Sequence, residues 1–393
     1  MSDSQRGERV KLVERSVKEV KHYARRRYLL FLAHLAVGVA FLAAMIASGS
    51  SAFADRAREI AGPNAFLGTV FFYFAGFSLA YLLVSLPLSF YGGYVLEHQF
   101  GLSTQTLGRW AKRRLKKWLL SFVIAAPLVL AFYWMLRQWP RTWWLPASLV
   151  WILFTYVLTK FAPRILIPIF YKLEPIADEE LASKLRDLAA TAGIRLRGAF
   201  RIDLSRETKK ANAAVVGLGS TRRVVLGDTL LAKFTHDEII AVFAHELGHV
   251  VHRHVIKGLV LAGALCVASL YAGSLVLHRA AAALGIEPVT KSVASRVANP
   301  ETLPILVAVL AGIQLLVMPF EKWYSRRREL QSDEYALRST GAREPFISAM
   351  KKLGAMNLAD VRPNKLAEIF LFSHPPIWKR IRLARNLDLG PDA

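Results

Sequence analysis

THDEIIAVFAHELGHV, residues 235–250, is the stretch from which the fold can be read. Thr235 followed three residues later by Glu238 is a capping-box pattern that starts a helix. Ile239, Ile240, Val242 and Phe243 supply its apolar face. On that helix His245 and His249 stand one turn apart on the same side, so both imidazoles can reach one metal ion. Glu246 lies beside the ion's open position, where it can take a proton from bound water. This H-E-x-x-H pattern points to zinc-dependent hydrolysis, most often of peptide bonds. Gly248 costs the helix roughly 1 kcal/mol relative to Ala. Close approach of another backbone beside the metal would account for a glycine there.

Two histidines leave zinc one protein ligand short, since catalytic sites usually have three plus water. The third is sought in Ser325-Arg326-Arg327-Arg328-Glu329-Leu330-Gln331-Ser332-Asp333. Glu329 and Asp333 are again four apart on one helical face. Glu329 is the candidate ligand. Asp333 would accept an N–H from a ligand histidine and fix its tautomer. By spacing alone, both are equally surface carboxylates balancing three arginines.

Outward from these motifs the chain is strongly apolar. It has 393 residues, 54% of them hydrophobic, and a mean hydropathy of +0.31. Apolar runs at 29–48, 65–90, 119–136, 143–162, 258–277 and 303–320 each approach the ~20 residues needed to cross a bilayer core. Residues 165–170 are a shorter apolar piece that extends the fourth span or docks on the membrane face. The single cysteine, Cys266, excludes disulfides within the chain and is read as a small buried hydrophobe. The first apolar run lacks a small-residue cleavage pattern, so no cleavable signal is expected.

The net charge of +23 would suit a nucleic-acid binder, but its distribution argues against one. Arg6, Arg9, Lys11, Arg15, Lys18, Lys21, Arg25, Arg26 and Arg27 precede the first span. Arg109, Lys112, Arg113, Arg114, Lys116 and Lys117 lie between the second and third. The alternate loops are sparse in Lys and Arg. This is the positive-inside pattern and puts the N-terminus in the cytoplasm. Residues 8–27 are also candidates for a basic helix lying on anionic lipid. Four spans return the chain to the cytoplasmic side, and spans five and six form a hairpin back to it. His245, His249 and Glu329 therefore fall on one face of the membrane.

The expected fold is mainly α: a polytopic membrane protein with six or seven transmembrane helices. A gluzincin-like zinc metalloprotease domain would carry a small β-hairpin or sheet. Residues 1–28 form a basic cytoplasmic segment and 29–162 hold four spans. Residues 163–257 form the cytoplasmic protease domain, 258–320 a transmembrane hairpin, and 321–393 the C-terminal part of the protease domain. Within 163–257, Ala177 to Ala192 has helical spacing and 197–205 reads as a strand. Asn212 to Val216 and Arg223 to Leu226 read as a hairpin around Gly217-Leu218-Gly219.

These pieces in this order resemble peptidase family M48, specifically its type I CAAX prenyl proteases, over most of the chain. Leu96-Glu97-His98-Gln99-Phe100-Gly101-Leu102-Ser103 with Gln105-Thr106 is similar to the family's second-loop signature. So are Pro168-Ile169-Phe170 through Ile176, Asn212-Ala213 with Arg223 to Leu230, the zinc motif, Ser325-Arg326 with Glu329 and Asp333, and Ser373-His374-Pro375 with Arg380. The resemblance implies one Zn2+ per chain held by His245, His249 and Glu329, with Glu246 as general base. It implies that Asn212 and Ala213 pair with an extended peptide, which agrees with strand addition as a way to hold variable sequence. It implies His374 and Arg380 near the zinc, donating hydrogen bonds to the oxyanion. The residues themselves also allow a helix cap for His374 and a surface or lipid-headgroup contact for Arg380. His252 and His254 are read as structural. The resemblance further implies seven spans around an intramembrane chamber in eukaryotic relatives, against six legible here.

In the expected mechanism zinc lowers the pKa of its water toward ~7, and Glu246 takes that proton and later passes it to the leaving amine. The implied partners are the lipid bilayer and a peptide or protein substrate, prenylated or membrane-embedded. The composition suggests a bacterial inner-membrane protein with its site facing the cytoplasm, or an endoplasmic-reticulum protein if eukaryotic. Two alternatives stand beside CAAX processing. One is a quality-control protease for misfolded membrane proteins. The other is a non-catalytic scaffold or transporter with a retained zinc fold, against which the intact Glu246 argues.

Overall fold

The computed structural model describes residues 17–62 and 64–389. The basic residues Arg6, Arg9, Lys11 and Arg15 lie outside them. Among the described residues six helices are long and apolar enough to span a membrane. The first runs over Val17–Ala61, as α1 (Val17–Ala44), a π-turn at Met45–Gly49 and α2 (Ser50–Ala61). Residues 17–27 are thus the first turns of the first span. Among the described residues there is no separate basic helix lying beside it, because no Gly or Pro interrupts the run from Val17 into the apolar stretch.

The second span is α3 (Phe66–Phe90), continued through a π-turn at Tyr91–Val95 into α4 (Leu96–Gln99). The third is α5 (Leu107–Gln138) and the fourth α6 (Trp144–Phe170). Residues 165–170 extend that fourth span. The zinc-motif helix is followed by the fifth span, His254–Ala283, and the sixth helix begins at Leu303 and ends at Thr340. Each span packs on the next, and the sixth also packs on α1, so the six close into a ring. Only 11–22% of each span's most apolar stretch is buried.

One end of the ring is capped. Trp143, Tyr133, Leu136, Leu277, Val297, Ala298 and Leu306 form a buried cluster there with Ala54 and Tyr73. Its hydroxyls are paired, with the Tyr133 hydroxyl 3.2 Å from Thr302 Oγ1 and Ser50 Oγ 2.6 Å from the Tyr73 hydroxyl, whereas the Trp143 indole N–H has no partner among the described residues. Such pairing is usual for groups removed from water.

The other end carries the water-facing domain. It is built from β1 (Leu173–Pro175), α7 (Glu179–Thr191), β2 (Ala199–Ile202), β3 (Ala213–Val216), β4 (Arg223–Gly227), α8 (Asp228–Leu231) and α9 (His236–Val251). The fifth span is α10 and the sixth helix α11. Then follow α12 (Arg343–Asn357), α13 (Lys365–Leu371) and α14 (Ile377–Asn386). The sheet order is β1-β2-β4-β3. β2 and β4 are parallel, and the outer pairs are antiparallel, with Ala213 opposite Leu226 and Val215 opposite Val224. The expected hairpin is present, with β3 on the sheet edge. The expected strand over 197–205 is shorter: the chain turns at Leu204–Arg206. There Asp228 Oδ1 accepts the Ser205 N–H at 2.9 Å and ends the ladder. β1 is a strand that its three residues were too few to announce.

α9 is packed by Leu181, Leu185, Leu226 and Leu230 against Ile239, Phe243 and Leu247. Its start is the predicted capping box. Thr235 Oγ1 accepts the Glu238 N–H at 3.3 Å and Glu238 Oε2 accepts the Thr235 N–H at 2.8 Å. The Glu238 carboxylate is buried and also receives Ser348 Oγ at 2.6 Å and the Lys352 ammonium, which ties α9 to α12.

Candidate metal centre

α9 and α11 cross at Gly248. A Cβ on Gly248 would stand 2.9 Å from the Ser332 Cα, well inside ordinary contact. The glycine is the close approach that its helix cost foreshadowed. This crossing sets His245 and His249 against Glu329. The Nε2 atoms of the two histidines are 3.3 Å apart. Glu329 Oε2 is 3.3 Å from His245 Nε2, and Glu329 Oε1 is 3.4 Å from His249 Nε2. These three residues form a group able to hold a metal ion.

The donors fit zinc. Tetrahedral bonds of about 2.0–2.1 Å require donors about 3.3 Å apart, and the observed edges match. Glu329 Oε2 is buried with no hydrogen-bond donor aimed at it, a costly state for a carboxylate oxygen without a cation. The charges agree. Burial pushes His249 down to about 4, with His245's charge adding to the effect, so its lone pair is free. Burial and Arg380 push His245 down, but the neighbouring Asp333 and Glu329 carboxylates outweigh them and raise it to about 9. The site therefore attracts positive charge strongly, as a cation site must.

Behind the donors both histidines are held. His245 Nδ1 lies 2.8 Å from Asp333 Oδ1, so it donates there and leaves Nε2 for the metal. Asp333 is fully buried and also accepts Arg380 Nε at 2.8 Å and a second nitrogen of the same guanidinium. Arg380 is 8% exposed, which rules out the surface or headgroup contact its sequence position allowed. His249 Nδ1 is 3.1 Å from His254 Nδ1, and His254 Nε2 is 3.0 Å from Gln331 Oε1. This chain fixes the tautomer of the second histidine. His254 read only as structural and Gln331 was unnoticed, because nothing in their spacing shows that α10 and α11 meet there. The recurrence of histidine five residues past His249 was the available signal.

Two cavities flank the donors. One, of about 610 Å³, is lined by Asn212, Ala213, His245, Glu246, His374 and Arg380, with Arg27 and Tyr28 from the first span. The other, of about 420 Å³, shares Asn212, Ala213, His245, Glu246 and His374 and adds His249 and Glu329. They are two halves of one cleft. The edge strand β3 forms one bank, beginning at Ala213, with the Asn212 carbonyl bound by the Gly227 N–H at 2.9 Å. Glu246 is half-buried and faces the cleft. Burial pushes its carboxyl up, against the pull of His245. His374 Nε2 stands 3.4 Å from Glu329 Oε1, and its ring is 61% exposed to the cleft. Arg27 and Tyr28 in the cleft wall were not legible, since they read as membrane-flanking residues.

Comparison with known proteins gives the family and the fold. The sequence model of "Peptidase family M48" matches residues 175–388, and that of "CAAX prenyl protease N-terminal, five membrane helices" matches residues 9–172. An uncharacterized metalloprotease, YhfN, of Bacillus subtilis is 33% identical over 354 residues, covering 88% of this chain and 80% of the relative. CAAX prenyl protease 1 of Saccharomyces cerevisiae is 29% identical over 318 residues, covering 76% and 68%. The crystal structure of S. mikatae Ste24p superposes with a TM-score of 0.79 over 93% of this chain and 87% of that one, at 22% identity, and shares the fold.

Proposed function

The chain belongs to peptidase family M48 and is an integral-membrane metalloprotease; from that premise we propose that it is a zinc endopeptidase cutting membrane-anchored peptides, of CAAX prenyl protease type. The observation that carries the reading is the donor triangle of His245, His249 and Glu329 with Glu246 facing the same cleft. A bound divalent cation would supply Lewis acidity toward the scissile carbonyl and toward water. Glu246, with its raised affinity for protons, takes the proton of the attacking water and returns it to the leaving amine. The exposed side of β3 at Asn212 and Ala213 holds the peptide backbone by strand addition. His374 donates to the developing oxyanion. Arg380 orients His245 through Asp333 and lines the cleft beside it.

The substrate class follows from placement. Glu329 lies nine residues past the apolar run that ends at Phe320, about 13 Å along the helix, and the first span contributes Arg27 and Tyr28 to the cleft. A peptide tethered in the bilayer reaches this site without leaving the membrane surface. The similarity to CAAX prenyl protease 1 of yeast supports a prenylated substrate. The basic ends of the first and third spans lie at the same end as the protease domain, where Lys210 pairs with Glu97 and Arg113 with Glu207. By the positive-inside rule that end is cytoplasmic, in the inner membrane if the source is bacterial.

The test is cleavage of a farnesylated CAAX peptide by detergent-purified protein, with Glu246→Gln alongside and metal measured in both. Cleavage by wild type alone, with one zinc in each, is expected. Full activity in Glu246→Gln would remove it as the base. No cleavage by zinc-loaded wild type would move the substrate to unfolded membrane proteins.

A further inference from the structure

We propose that Arg326 is a positioning residue that holds His374 at the metal site; the inference rests on the role given to His374 above. On α11, Arg326, Glu329 and Asp333 stand at i, i+3 and i+7, one face of the helix. Glu329 faces the donor histidines and Asp333 faces His245 and Arg380. Arg326 turns the same way one level closer to the membrane. Its Nη1 donates to the Glu368 carbonyl at 2.6 Å and to the Phe372 carbonyl at 2.9 Å. These carbonyls belong to the last turn of α13 and the residue after it, which have no partners within the helix.

Among the described residues no carboxylate forms an ion pair with this guanidinium. The neighbouring Glu368 carboxylate is taken by Lys379. The two charge-assisted bonds are therefore given to backbone, and they fix the chain two residues before His374. On the far side, α14 brings Arg380 back to Asp333 on the same face of α11. His374 is strung between two arginine contacts with one helix. Its ring has few other restraints, Ser373 Oγ at 2.9 Å and Glu329 Oε1 at 3.4 Å, so its place depends on where the backbone is held. A metal ligand and an oxyanion donor carried by separate segments are thereby registered on one rigid element.

The experiment compares Arg326→Gln, Arg326→Lys, His374→Ala and the double variant Arg326→Gln/His374→Ala in the full-length protein. Arg326→Gln should lower kcat about as much as His374→Ala, leave KM and zinc content near wild type, and add nothing in the double variant. Arg326→Lys, which can still donate to one carbonyl, should recover part of the loss. Losses that multiply in the double variant would show that Arg326 acts elsewhere and overturn the proposal. Hydrogen exchange gives a readout that does not need turnover. Amides of 366–374 should exchange at least about tenfold faster in Arg326→Gln, with those of α9 unchanged. Wild-type protection in that segment would overturn the proposal even if no cleaved substrate is found. If Glu246→Gln kept full activity while this segment loosened, the catalytic reading would fail and the clamp would stand.

Discussion

Gly248→Ala should separate the metal from the fold. The added Cβ would stand 2.9 Å from Ser332 Cα and 3.2 Å from both its Cβ and its carbonyl oxygen. Ordinary carbon contacts are about 3.5–4.0 Å, so α9 and α11 must part by roughly 0.6–1 Å or hold the strain. Overpacking of this kind costs about 1–3 kcal/mol, and Ala returns about 1 kcal/mol of helix propensity. The net change in stability is therefore small, between zero and ~2 kcal/mol lost. The metal site takes the displacement directly. His249 follows Gly248 and Glu329 lies one turn before Ser332, so the displacement opens the donor edges now at 3.3 and 3.4 Å. Metal sites tolerate about 0.2 Å in ligand distance. Zinc affinity should fall at least about tenfold, the equivalent of 1.4 kcal/mol, while the metal-free protein unfolds near the wild-type temperature. Chelator competition and thermal unfolding with and without chelator would read the two quantities. Wild-type zinc affinity in Gly248→Ala would refute the claim that this contact sets the ligand geometry.

Asp333→Ala should lower zinc affinity about 10–100-fold by freeing the His245 tautomer, and should destabilise the fold by roughly 3–5 kcal/mol by stranding the buried Arg380 charge; an affinity within twofold of wild type would show that His245 is oriented otherwise. Glu238→Gln should cost about 1–3 kcal/mol near neutral pH through the lost contact with Lys352 and the weakened cap. Burial pushes the Glu238 carboxyl up, but Lys352, Ser348 and the Thr235 N–H outweigh it and hold it below its ordinary value. Its stabilisation is therefore complete above the ordinary glutamate range and is lost as pH falls through the lowered folded value. Unfolding curves of wild type and Glu238→Gln should converge in acid, and a separation that persists at all pH would count against the pairing.

The parts of this fold that sequence exposes are those decided by local rules. The six spans follow from runs of apolar residues, because lipid offers backbone groups no other partner than the helix itself. The capping box at Thr235 and the glycine at 248 announced a helix start and a crossing, and both are present at those residues. Contacts between segments far apart in sequence were hidden. Gln331 reaches His254 across 77 positions, and Tyr23 donates to Glu97 at 2.6 Å across 74; no periodicity encodes such pairs. Arg380 shows the same limit in another form, since a cation in a late amphipathic helix reads as solvated until Asp333 is seen opposite it. Of the segment 8–27 read as a surface helix, the described part, 17–27, is continuous with the first span, because charge says where a helix end prefers to lie, while chain continuity decides what it joins.

That continuity explains why membrane and site are one machine. α11 has 38 residues, about 57 Å of helix, of which the bilayer core takes about 30 Å. The remainder carries Arg326, Glu329 and Asp333 on one face. The helix is unbroken from the span to Glu329, and Pro319, inside it, lies before the apolar run ends. The strand bank of the cleft is tied to the other spans in the same way, since the loop after α4 bridges Ser103 to Thr208 and the Lys210–Glu97 pair lies beside it, a few residues before Asn212. On the proposed reading a peptide held on β3 would be referred to the first three spans, and the metal to the sixth. The distance between bilayer and scissile bond is then set by the protein rather than by the substrate, which is what a protease needs if it is to cut a tethered chain at a fixed position from its anchor.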